Sequence, residues 1–475
     1  MSGAVLSHVS LPPASWSRTH TRSSPAPIFR LPYELLTEIL LIGRDNSERV
    51  ERFLLAITST CSIWRSAALI TPSLWAVIRR PNFKKIEYEV EYLETVLERS
   101  MDSSLDIELG RDPQVPRFPA KIVKTIYPHL ARCRRLCLLL TETISEIFPL
   151  PGPLERLTTL IIIDPGLGFW FSRPMIPDIT FAQTPRLRDL AFRGFFSALR
   201  NLHCGSLTAI RLSVDPKSSA LDFISRCPLA EHVAVSNVRY APINREPVIL
   251  NCLKWLAIRS DPSMSFRHFV KAPKVQELYL EGMHPYDIDE LTRSIPPDVL
   301  LPPFQNLMTL SLADMELRCP GLYDTVVSHP RIEHLLLNSC YNTLVIPALL
   351  LLGDTGDKTY YYQLEGMNVP DHHNPLLPHL QRLVLRGAHS SNKLLGRYLT
   401  ALLESRPTLE LVATEDFLFW DVGFEALQKQ IGNRCRISTS NPFTYMHERP
   451  RRDVAGNQIS NIIYGLANYT GASVV

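Results

Sequence analysis

Leu307-Met308-Thr309-Leu310-Ser311-Leu312 carries apolar residues in the order apolar-x-x-apolar-x-apolar, and that spacing recurs along most of the chain. It returns at Leu157, Leu160, Ile162; Leu187, Leu190, Phe192; Leu207, Ile210, Leu212; Leu253, Leu256, Ile258; Val275, Leu278, Leu280; Ile332, Leu335, Leu337; and Leu380, Leu383, Leu385. A turn feeding a short strand produces this pattern, because alternate strand side chains point to one face. Weaker copies lie at Cys133, Leu136, Leu138 and around Leu229, Val233, Val235, and Leu409 with Val412 closes the series. Most neighbouring copies start 20 to 32 residues apart. A fixed unit repeated at that period reads as stacked strand-and-helix modules, each burying its apolar face against the next.

The connecting segments agree. Leu221, Phe223 and Ile224 run into Cys227-Pro228, Phe266 and Phe269 into Ala272-Pro273, and Leu399 with Leu402 into Arg406-Pro407. Proline ends each expected helix, and the next strand motif begins shortly after it. The fold class expected is therefore α/β, an α+β repeat solenoid. The alternative is a doubly wound parallel sheet, since alternating strands and helices are common to both. The units resemble irregular leucine-rich repeats, although they lack the regular Asn or Cys ladder of the strict repeat and their loops are uneven.

Upstream of the repeats, residues 31 to 75 open Leu31-Pro32-Tyr33-Glu34-Leu35-Leu36-Thr37-Glu38-Ile39-Leu40 and close with Cys61-Ser62-Ile63-Trp64-Arg65 and Thr71-Pro72-Ser73-Leu74-Trp75. Pro32 suits a first helical position, Glu34 suits the positive helix end, and Gly43 offers a stop. Leu35, Leu36, Ile39 and Leu40 share one broad face. Further stripes follow at Val50, Phe53, Leu54, Ile57 and at Ile63, Trp64, Ala67, Ala68, before Pro72 breaks the last helix. Three short helices cannot bury so wide a stripe by themselves, so part of it awaits a partner.

This stretch resembles the F-box, in particular its fungal forms, at Leu31, Pro32, Glu34, Leu35, Glu38, Ile39, Leu40, Cys61, Trp64, Arg65 and Trp75. The resemblance covers about a tenth of the chain. It implies docking on a Skp-type adaptor and, through it, on a cullin-based ubiquitin ligase. The adaptor contacts it implies fall on Leu31, Pro32, Leu35 and Ile39, while Trp64 and Trp75 anchor the helices to one another. The organisation expected is a disordered tail over 1–27, the F-box over 28–80, a linking helix over 81–104, a leucine-rich-repeat-like solenoid over 105–440 and a C-terminal tail over 441–475. In the link, Ile86, Val90, Leu93 and Leu97 have helical spacing with Glu87, Glu89, Glu91 and Glu94 facing water, and Leu105, Ile107 and Leu109 alternate as a first strand.

Composition narrows the function classes. A formal charge of +3 over 475 residues, with Arg449, Arg451 and Arg452 as the nearest approach to a basic block, argues against a nucleic-acid partner. Nine scattered cysteines without Cys-x-x-Cys pairs fit a reducing compartment, cytoplasmic or nuclear. The longest apolar runs, such as 344–352 with its Pro347, reach about half the length of a membrane span. The acid-poor leader before Glu34 has transit-peptide composition, but Pro12-Pro13, Pro25 and Pro27 oppose the amphipathic helix such a peptide needs.

Catalytic motifs are missing from the sequence: no phosphate-cradling Gly-x-x-x-x-Gly-Lys, no Gly-x-Ser-x-Gly, no His-Glu-x-x-His. Asp371, His372 and His373 read as a surface loop, because adjacent side chains on extended backbone diverge. Cys133 and Cys137, flanked by Arg132, Arg134 and Arg135, read as buried structural thiols inside a strand motif. No enzyme, cofactor or metal is expected. The expected role is substrate recruitment for a Skp-cullin-F-box ligase, with a protein-binding repeat scaffold lacking any ubiquitin link as the alternative. Substrate contact is assigned to the long gap over 353–378 and its Tyr360, Tyr361 and Tyr362, since tyrosines supply rigid amphipathic contact area. A degenerate repeat around 344–352 is the other reading of that gap. Arg188, Arg211, Lys254 and Gln276, between the apolar strand positions, are the next candidates.

Overall fold

A computed structural model of the chain describes residues 31–47, 49–79, 86–109, 120–139, 153–163, 184–194, 199, 202–214, 220–236, 248–259, 270–281, 304–313, 326–338, 352, 376–386, 394–414 and 435–438. The chain divides into two compact units, Met1–Leu74 and Trp75–Val475. Among the described residues no helix is long and apolar enough to cross a membrane.

The first unit packs three helices, α1 (Tyr33–Asp45), α2 (Val50–Thr60) and α3 (Ser62–Leu69). Pro32 lies one position earlier than expected, as the N-cap, and its carbonyl accepts the Leu36 amide at 3.1 Å. Gly43 is no stop either: α1 runs on to Asp45. Its glycine serves packing, because a Cβ there would come within 2.8 Å of the Phe53 ring on α2. Val50, Leu54 and Ile57 are buried from α2, and Ala67 with Ala68 from α3. These small residues let α3 approach closely. Trp64, expected in the core, is half-buried, and Ile63 faces out.

The second unit is mixed α/β around one large parallel sheet. Its strands are β1 (Val77–Arg79), β2 (Leu105–Leu109), β3 (Cys133–Leu139), β4 (Thr159–Ile163), β5 (Asp189–Gly194), β6 (Ala209–Val214), β7 (His232–Ser236), β9 (Trp255–Arg259), β11 (Glu277–Glu281), β12 (Thr309–Ala313), β13 (His334–Asn338), β14 (Arg382–Arg386), β15 (Glu410–Thr414) and β16 (Cys435–Ser438). Spatial order follows chain order throughout, with no reversal point of the kind a doubly wound sheet contains. A separate parallel pair joins β8 (Val248–Ile249) to β10 (Val270–Lys271). The latter strand occupies the place just before Ala272-Pro273 where the proline pattern predicts the end of a helix. Helices α4 (Ile86–Arg99), α5 (Ala120–Ile126), α6 (Ala220–Ile224) and α7 (Leu394–Ser405) belong to this unit, and α4 packs on α5.

Register aligns the predicted apolar positions into two unbroken rows. Leu160, Leu190, Ile210, Val233, Leu256, Leu278, Leu310, Leu335 and Leu383 pair in succession, as do Ile162, Phe192, Leu212, Val235, Ile258, Leu280, Leu312, Leu337 and Leu385. All of these are buried. The opposite face carries its own apolar clusters, Leu336 with Val384 and Val412, and Tyr279 with Ala257 and Ala313.

Four expectations shift. Glu89 of α4 is buried rather than water-facing. The series begins one strand earlier, at β1, and continues to β16. At β15 it is Leu411, not Val412, that pairs with Leu383, which turns Val412 to the opposite face. In the β7 unit the first apolar position is Ala230, whose amide bonds the Cys227 carbonyl at 3.2 Å, while Leu229 stands exposed. A one-residue error of this kind swaps faces. Accordingly, Leu229→Asp should leave thermal stability within about 0.5 kcal/mol of wild type. Ala230→Asp should cost several kcal/mol by burying an unpaired carboxylate. Paired thermal melts compare the two variants directly.

Candidate functional site

The apolar residues of α1 separate into two faces. Leu36 and Leu40 point into the three-helix core. Leu35, Ile39 and Ile42, spaced i, i+4, i+7 along the neighbouring stripe, are 48%, 46% and 51% exposed. Leu31 and Pro32, one turn before Leu35, are exposed as well. The one broad face read from the sequence is thus two, set about 100° apart by the helical turn. Ile42 belongs to the outer stripe and was legible from its spacing to Leu35. Leu55 on α2 and Ile63, Leu69 and Ile70 at α3 are further exposed apolar side chains of this small unit.

Polar contacts hold the helix ends so that this stripe stays presented. The Tyr33 hydroxyl lies 2.8 Å from Thr71 Oγ1, which donates to the Ala67 carbonyl at 2.7 Å. Arg44, in the last turn of α1, donates to the Ser73 carbonyl and pairs with Asp45 at 2.6 Å. Both contacts lock α1 to the segment after α3 from its two ends. A guanidinium at the helix C-terminus also suits the macrodipole.

Other sequence-derived sites fare differently. Tyr360, Tyr361 and Tyr362, together with Asp371, His372 and His373, lie outside the described residues. The two borders of that segment are described: Arg406, at the end of α7, donates to the Leu352 carbonyl at 3.0 Å, to Leu377 at 2.7 Å and to Leu376. Of the four strand candidates, Arg211 lies on the face opposite the leucine rows, half-buried. Arg188, Lys254 and Gln276 are exposed residues at the strand entries. Among the described residues no group of three or more His, Cys, Asp or Glu side chains is placed to hold a metal ion.

Cys133 and Cys137 are buried on β3. Burial pushes both thiols up, Cys137 to about 12, with Glu108 adding to the effect. The flanking arginines do not activate them. Matched against models of known protein families and against characterised proteins, the chain finds no counterpart in either.

Brief alkylation of the folded protein at pH 8, read by peptide mapping, should therefore modify the half-buried Cys61 and Cys252 while sparing Cys133 and Cys137. Equal labelling of all four would show that the β3 thiols are open to solvent and ionised.

Proposed function

We propose that the chain is a substrate-recruiting subunit of a Skp-cullin-F-box type ubiquitin ligase. In this reading the first unit is an F-box and the second is an irregular leucine-rich-repeat solenoid. The observation that carries it is the outer stripe of α1. A stable helix surrounded by water does not ordinarily present Leu31, Leu35, Ile39 and Ile42 in line, and an exposed apolar row of that kind marks a protein-binding surface. Its position matches the adaptor-contacting positions Leu31, Pro32, Leu35 and Ile39 that the F-box resemblance implies, with Ile42 extending the contact.

The division of labour follows. The first unit docks on the adaptor, and through the adaptor on a cullin; the second binds a protein substrate. The chain performs no chemistry itself. Support for the solenoid comes from strand order that tracks the chain, parallel register at every step and a turn repeated at the strand entries from β4 to β15. These features suit a surface assembled from adjacent units.

Replacing Leu35 and Ile39 together with Asp should abolish capture of a Skp-type adaptor. Carboxylates buried without partners at an apolar interface cost several kcal/mol, on the order of a thousandfold in affinity. Because both residues are about half exposed, circular dichroism and melting temperature should stay near wild type. Leu36→Asp, one position away but buried, should unfold the unit instead. Adaptor retained at wild-type yield by the folded double variant would remove the ligase reading and leave a repeat scaffold.

A further inference from the structure

From β4 to β15 each strand of the large sheet is entered through the same turn, in which one carbonyl accepts the amide three residues on. The turn starts at Leu154, Thr184, Cys204, Cys227, Leu250 and Ala272 in successive units. Buried side chains fill these positions, so they form a row inside the second unit. Two adjacent members are cysteines.

Strand register brings those two together. Ala209 pairs with His232 and Ile210 with Val233, 23 positions on, and Cys227 stands 23 positions after Cys204. Both turns have the same geometry, with Leu207 N–H donating to the Cys204 carbonyl and Ala230 N–H to the Cys227 carbonyl, each at 3.2 Å. Neighbouring strands of a parallel sheet lie about 4.8 Å apart, inside the roughly 4.4–6.8 Å range of Cα separations that a disulfide spans. The same relation recurs farther along, where Phe304 and His329 begin consecutive turns and their rings stack at 6.3 Å.

Cys204 Sγ donates to the Leu202 carbonyl at 3.1 Å and Cys227 Sγ to the Phe223 carbonyl at 3.3 Å, and the two thiols are near enough to shift each other's ionisation. On the other side of Cys204 the row continues with Thr184, whose buried hydroxyl has no hydrogen-bond partner. Cys204 is 5% exposed and Cys227 fully buried.

We propose that Cys204 and Cys227 form a paired redox site, which hydrogen peroxide converts to a disulfide tying the β6 and β7 units together. The Cys204 thiolate attacks one peroxide oxygen, the O–O bond breaks, and a sulfenic acid and hydroxide result. Cys227 then gives up its proton and attacks the Cys204 sulfur, expelling the second hydroxide. Two thiols and one peroxide become one disulfide and two waters, each sulfur losing one electron and each peroxide oxygen gaining one. The order of attack follows this coupling: the Cys227 thiol holds the Cys204 thiol below its ordinary range, whereas Cys204 and burial push Cys227 up.

The test treats the folded full-length chain with a few equivalents of hydrogen peroxide, blocks remaining thiols with N-ethylmaleimide and maps peptides without reduction. The expected product is a Cys204–Cys227 linked peptide, reversed by a phosphine reductant. Melting temperature should rise by roughly 3–6 °C on oxidation and fall back on reduction. Neither change should occur in Cys204→Ala or Cys227→Ala. Linkage that appears only in denaturant, linkage of Cys204 to a different cysteine, or oxidation that halts at sulfinic acid would overturn the proposal. The wild-type chain by itself supplies the peptide map and the reversible melt, so the outcome is decisive even where an alanine variant folds poorly.

Discussion

A single carbonyl, repeated at eight successive strand entries, sets the spacing on which the second unit depends. The Thr158 carbonyl accepts the amides of Arg188 and Asp189; the Arg188 carbonyl accepts those of Thr208 and Ala209; the Thr208 carbonyl those of Glu231 and His232. The fork repeats at Glu231, Lys254, Gln276, Met308 and Glu333. Two amides on one carbonyl fix both the height and the orientation of the incoming strand, so the leucine rows fall on one face without further instruction. Each such bond is worth about 0.5–1.5 kcal/mol net, and its larger effect is to make every other register costly. Connections of very different length feed the same fork. Only 20 residues separate the paired positions Asp189 and Ala209, and 48 separate His334 and Arg382. Loop-closure entropy grows slowly enough with length for both to be tolerated.

The strands were legible because their side chains do the sorting. Two apolar rows must face one way, and the motif at Leu157, Leu187, Leu207 and their successors records that need directly. The forks were not legible. Their carbonyls belong to Thr, Arg, Glu, Lys, Gln and Met, which share no side-chain chemistry, since only the backbone acts. Arg188, Lys254 and Gln276 stand exposed at these entries, where their backbone serves the fork and their side chains face solvent. Ala230 escaped notice beside Leu229 because burial at a tight turn selects a small residue as readily as a large one. Strands β1 and β16 stood apart from the motif because edge strands satisfy only one neighbour.

In the first unit the apolar count was readable and its partition was not. Leu35, Leu36, Ile39 and Leu40 are chemically alike, and their pairing into inner and outer stripes depends on how α2 and α3 approach. Gly43 and the Ala67-Ala68 pair allow a close approach, which gives Leu36 and Leu40 the core and leaves Leu35 and Ile39 outside. Trp64 is displaced toward the surface by the same economy of volume: alanines take the inner side of the eight-residue α3.

Arginine supplies tie points in the second unit. Arg132 reaches the carbonyls of Leu97 and Met101, Arg226 that of Leu199, and Arg406 those of Leu352, Leu376 and Leu377. Five donors on a planar fork suit a group that must satisfy several carbonyls at once. Arg406 differs from the others in what it spans, because Leu352 and Leu376 bracket a stretch of sequence rather than a single turn. With both borders held by one guanidinium, the strands on either side are insulated from the length and composition of the residues between them. Doubling that stretch adds only about 0.6 kcal/mol of closure entropy. The place between Leu352 and Leu376 is therefore where sequence can be lengthened, shortened or replaced while β13 and β14 keep their register, and where a foreign segment can be grafted with little disturbance to the sheet.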